Sequence, residues 1–144
     1  MDRKKLLRHL VFLMFFIFLA DILAKQFYWY FSIWYFDILM HFLGGIWLGL
    51  FFLWFFSIKN LSSLKWLLNF DGFQFVYQTV LFVLFIGVLW EFFEFYTINY
   101  ISQESFNVSD TISDIFFDLA GAFTAIFYFL RKIMIGPENE VQLK

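Results

Sequence analysis

The residues of this chain that could do chemistry are carboxylates at helical spacing, with one histidine among them. Asp37 and His41 are four apart, Glu91 and Glu94 are three apart, and Asp110, Asp114 and Asp118 repeat every four. Residues three or four apart share one face of a helix, so each group would project from one side of one element. Carboxylates with a single imidazole suit Mg²⁺, Mn²⁺, Zn²⁺ or Fe²⁺, and such a metal could activate water. A carboxyl crowded by other acids could instead act as a general base. The candidate metal ligands are Asp37, His41, Glu91, Glu94, Asp114 and Asp118, any one of which could instead be that base. No other cofactor is indicated. The chain has no cysteine, which excludes thiolate metal sites and cysteine catalysis. The Glu-x-x-His pairs of di-iron bundles do not occur, and no Ser-His-Asp arrangement with a nucleophile elbow is present.

The elements that must carry these residues are membrane helices. Of 144 residues, 62% are hydrophobic and only 15% charged, against roughly 25% charged in a soluble domain. Four apolar runs cover about 6–24, 35–56, 75–96 and 111–130. Each matches the ~20 residues a spanning helix needs, and none alternates in polarity as a membrane strand does. The expected fold is an all-α bundle of four transmembrane helices. It forms one domain over 1–135, followed by a polar tail at 136–144. The first run follows Arg3, Lys4, Lys5 and Arg8 without a convincing cleavage site, so it reads as an uncleaved anchor. A net charge of −2 gives no reason to expect a nucleic-acid partner; the expected surroundings are the lipid bilayer.

Basic residues orient the bundle. With the N-terminus inside, nine of the ten Lys and Arg fall in inner segments and only Lys25 falls outside. This bias places both termini in the cytoplasm of a multi-pass protein of the cytoplasmic membrane. The inner segment 57–74 has Leu61, Leu64, Trp66, Leu67 and Leu68 near helical spacing, which fits a short interfacial helix or a packed loop, with Asp71-Gly72 as a turn. Asn107 or Ser109 can cap the fourth span, with Asp110 near its positive end.

On this topology Asp21, Asp37, Glu91, Glu94, Glu104, Asp110, Asp114 and Asp118 all lie in the outer half, most of them within spans. Asp21 can pair with Lys25, four residues on. Each acidic face continues inward with small residues: Gly44, Gly45 and Gly49; Gly87; and Gly121, Ala122 and Ala125. Small residues let membrane helices approach closely, so the acidic faces should turn into the bundle. At 1.5 Å per residue, His41, Glu91 and Asp118 fall about 10–13 Å below the outer helix ends and could form one layer. Asp37, Glu94 and Asp114 would form a shallower one.

A central Asp costs ~2.5–3.5 kcal/mol on the insertion scale, and five or six such groups would cost about 15 kcal/mol if unrelieved. That equals the stability of a whole domain. The spans carry no Lys or Arg at that depth. The cost must be offset by a metal, by shared protons or by a cationic ligand.

The ordered elements Asp37-Ile-Leu-Met-His41 with Gly44-Gly45, Trp90-Glu91-Phe-Phe-Glu94, and Asp110-Thr-Ile-Ser-Asp114 through Asp118-Leu-Ala-Gly121-Ala122 resemble the YjdF-like inner-membrane family. They are more distantly similar to the VanZ-like family, which is linked to low-level teicoplanin resistance. VanZ-like proteins usually carry Gln at the place of Glu94, Asn at that of Asp118, and an Arg in the following outer loop; residues 97–109 here have none. The resemblance implies a recurrent site at His41, Glu91 and Asp114, which makes these three the candidates for direct catalytic roles, and implies no particular reaction.

Three functions fit these residues. The first is a metal-dependent membrane enzyme acting on a lipid-like or envelope substrate from the outer side. The second is a cation- or proton-binding transport-type protein, for which a homodimer would supply further helices; Gly45-x-x-x-Gly49 offers a contact face for one, although the better use of Gly45 is within the bundle. The third is a non-catalytic protein whose acids only hold the helices together.

Overall fold

The computed structural model describes residues 3–60, 70–97 and 107–134. Helix α1 spans Arg3–Gln26, the single turn α2 Trp29–Ser32, α3 Phe36–Asn60, α4 Phe70–Thr97 and α5 Val108–Met134. Among the described residues there is no strand. Four of the helices contain stretches long and apolar enough to cross a membrane, at Lys4–Gln26, Phe36–Phe55, Gln74–Thr97 and Val108–Arg131. Four runs of the expected length are thus four helices, extended by a few residues because polar ends can continue a helix into the interface. Asp71-Gly72 is a correction: it lies in the first turn of α4 and not in a turn before it. A helix's first turn tolerates both residues, since its amides lack intrahelical partners in any case. The remainder of the inner segment, 61–69, and the tail at 136–144 lie outside the described residues.

The bundle centres on the pair α3 and α5. Their contacts rise together in sequence, Gly45 meeting Asp118 and Gly49 meeting Ala122 and Ala125, so the two helices run parallel. The approach is close enough that a Cβ on Gly45 would collide with the Asp118 carbonyl, and one on Gly121 with the Phe42 carbonyl. The glycines are therefore used inside the chain's own bundle. The Gly45-x-x-x-Gly49 face is occupied by α5 and is not free for a second copy. Helix α4 packs against both of its neighbours, and α1 lies at the periphery along α3. The Trp47 indole donates to the Leu10 carbonyl at 3.0 Å and ties α1 to α3.

The two ends of the bundle differ in kind. One end holds an apolar cluster that includes Leu6, Leu10, Leu50, Leu53, Phe75, Ile126 and Phe129. The other end, where α3 and α5 begin and α4 finishes, holds the acids. On α5 Asp114, Asp118 and the small residues Ala122 and Ala125 are buried, whereas Ile112, Phe116, Phe123 and Phe127 are all more than half exposed, as lipid-facing residues should be. Asn107 caps α5: its Oδ1 accepts from the Ser109 amide at 3.1 Å.

Candidate functional site

His41 is the hub of the acidic end and is 8% exposed. Its Nε2 lies 3.9 Å from Asp37 Oδ1 and 3.9 Å from Asp114 Oδ2. Its Nδ1 lies 3.5 Å from Asp118 Oδ1 on the opposite side of the ring. Glu91, Asp114 and Asp118 are as buried as His41. Glu94 and Asp37 are half-buried and Asp110 is exposed, so the cluster grades outward toward one end of the bundle.

All six candidate ligands come together, though not in the expected layers. One ligand atom from each of His41, Glu91, Glu94 and Asp114 falls within 4.8 Å of the others, and the same holds for Asp37, Asp110 and Asp114. Glu94 and Asp114 were expected one turn above His41 and Glu91. The difference follows from helix direction. Side chains lean toward the N-terminus of their own helix. Those of α4 therefore lean inward and those of α3 outward, which brings Glu94 level with His41, while the α3–α5 register, with Gly45 against Asp118, sets His41 beside Asp114 one turn further out. Asp118, expected in that same group, lies instead behind the imidazole.

Asp118 occupies a place that Gly87 leaves open. A Cβ on Gly87 would stand 2.7 Å from Asp118 Oδ2. Two carboxylate oxygens, Glu91 Oε1 and Asp114 Oδ1, are buried with no hydrogen-bond partner. Unmet buried acceptors are costly, and here both lie in the same cluster. No Lys or Arg reaches these acids among the described residues; Lys25 Nζ bonds Asp21 instead, at 2.7 Å. The first turns of α3 and α5 contain Asp37 and Asp110, where the positive helix ends favour negative charge. That effect is worth typically 0.3–1 kcal/mol per group and is too small to stabilise six clustered carboxylates.

Three contributors were missed as site residues in the sequence. Asp110 shares the face of Asp114 and Asp118 in the sequence but is not among the six candidate ligands, although it closes the group with Asp37 and Asp114. Thr111, one position after Asp110 on α5, lies beside Glu91. Tyr30 on α2 donates to Asp21 Oδ1 at 3.0 Å and feels the charges of Asp37 and Glu94. Burial first, then the hydrogen bond and charge of Asp21, push its phenol well above the ordinary tyrosine range. No periodic pattern marks Tyr30, because α2 is one turn entered through a left-handed Tyr28, φ 56°.

Fold and site together define a four-span membrane protein with an acid–histidine cluster buried near one end. The chain belongs to the predicted membrane protein family DUF2238, which matches it over residues 2–133. That is the YjdF-like family which the motifs resemble. No curated protein and no solved structure matches the chain.

Proposed function

We propose that this protein is a metal-dependent membrane enzyme acting on a lipid-like substrate, with a divalent cation held by His41, Glu91, Glu94 and Asp114. The observation that carries this reading is the convergence of those four side chains within 4.8 Å around two buried oxygens that lack any hydrogen-bond partner. A cation there would give Glu91 Oε1 a partner and offset the charge. It would also supply Lewis-acid activation of water. Asp118 at Nδ1 would orient the imidazole and leave Nε2 free to ligate, the usual arrangement behind a metal-bound histidine.

The mouth of the site supports an amphiphilic substrate. Tyr28, Phe31, Trp34, Tyr35 and Tyr96 are all more than half exposed at that end, and aromatic belts of this kind mark the level of lipid headgroups. In this reading the mouth opens on the extracytoplasmic side, which the bias of basic residues supports; a reporter enzyme fused within 98–106 should then be active only outside the cytoplasm. The transport reading is less well supported. Inward of Asp118 the helices close on Gly121, Ala122 and Ala125 and then on the apolar cluster. The only buried polar side chain described there is Thr79, whose hydroxyl already donates to the Phe75 carbonyl at 2.8 Å. Among the described residues an ion entering the cluster meets no polar route onward.

The test is elemental analysis of detergent-purified protein after equilibration with Mn²⁺. Bound metal in the wild type that disappears in Glu91→Gln, at unchanged helical content, is the expected result. A metal-free wild type would overturn the reading.

A further inference from the structure

The two ligand groups share one residue. Asp114 belongs both to the set with His41, Glu91 and Glu94 and to the set with Asp37 and Asp110. We propose that Asp114 bridges two divalent cations, an inner one completed by His41, Glu91 and Glu94 and an outer one completed by Asp37 and Asp110. This rests on the metal-dependent reading above and extends it from one ion to two.

Asp114 is built for such a role. It is the least exposed acid of the cluster, at 1%. Its Oδ2 faces His41 Nε2 at 3.9 Å, while its Oδ1 is buried and accepts no hydrogen bond. One carboxylate thus offers an oxygen to the histidine side and keeps a second, unsatisfied oxygen for another partner. The alternative, a single ion, leaves Asp37 and Asp110 gathered within 4.8 Å of Asp114 with no described Lys or Arg to offset them. Three carboxylates this close repel one another, and a second cation removes the repulsion.

The two positions differ in chemistry. The inner one has an imidazole and three carboxylates, which suits Mn²⁺, Zn²⁺ or Fe²⁺. The outer one is all carboxylate and its Asp110 is exposed, which suits a hard, partly hydrated ion such as Mg²⁺ or Mn²⁺. Mn²⁺ fits both and is paramagnetic, so it serves as the probe. Two-metal sites hold their ions about 3.5–4 Å apart, close enough for the spins to couple.

The experiment is an electron paramagnetic resonance titration of the full chain in detergent with Mn²⁺ alone. Two Mn²⁺ per chain with an exchange-coupled spectrum are expected, falling to one uncoupled Mn²⁺ in Asp110→Asn. Asp110 is exposed, so that substitution should not disturb the fold, and the wild-type count and spectrum decide the matter even if it does. One Mn²⁺ per wild-type chain, unchanged in Asp110→Asn, would overturn the bridge and leave the single-ion reading standing. Two Mn²⁺ without coupling would also overturn it. Failure to bind Mn²⁺ at all would remove both readings together.

Discussion

His41 Nδ1 and Asp118 Oδ1 lie 3.5 Å apart across the α3–α5 interface, and the other oxygen of Asp118 fits only because α4 presents a glycine at position 87. Three helices thus converge on one carboxylate that touches the histidine from behind. The ring is held with Nε2 toward Asp37 and Asp114.

Asp118→Asn keeps the side-chain volume and removes the charge behind the imidazole. Partners of this kind typically change metal affinity 10–100-fold. Mn²⁺ affinity should therefore fall by about that factor while helical content stays constant, as read by competition titration and circular dichroism. An unchanged affinity would mean that Asp118 only fills space.

Gly45→Ala and Gly44→Ala should separate sharply although they are neighbours. A Cβ at Gly45 runs into the backbone of Asp118, which cannot swing aside, whereas one at Gly44 meets only Asp118 Oδ1 at 4.0 Å, an ordinary contact. Overpacking of this kind costs about 1–3 kcal/mol, so Gly45→Ala should unfold earlier in a denaturing-detergent titration. Gly44→Ala should track the wild type. Equal stability of the two would contradict the close α3–α5 packing.

Tyr30→Phe tests the hydrogen bond that α2 makes to Asp21 on α1. The folded protein holds the phenol above its unfolded value, so its contribution is fully present below the unfolded pKa of about 10 and is lost as pH rises through the folded value. The wild type should lose stability above about pH 10 faster than Tyr30→Phe, and the gap between them should narrow. Ultraviolet titration should show the most alkaline tyrosine step missing from the variant. Parallel stability curves through that range would show that Tyr30 is not held this way.

Much of the site was legible because the membrane restricts what a polar residue can do. Asp37 and His41, Glu91 and Glu94, and Asp114 and Asp118 stood out as charges in apolar runs, and their spacing put each pair on one face. The small residues beside them pointed the same way, and Gly45 and Gly121 do make the helix contact. The inner loop was less legible: Asp71-Gly72 suits a turn and a helix's first turn equally well, and no local pattern separates the two.

The sequence by itself determined four spans, an acid-rich end and an apolar end, since a bilayer demands length, internal hydrogen bonding and inward-facing charge. Only the tertiary structure decided which acid meets which ring nitrogen. Neighbouring helices run parallel or antiparallel, side chains lean toward their own N-termini, and depth counted along one helix cannot register that lean. For the same reason only the folded chain could place Asp118 behind His41, gather Asp114 with both Glu91 and Asp37, and bring Tyr30 to Asp21 from a turn with no periodicity.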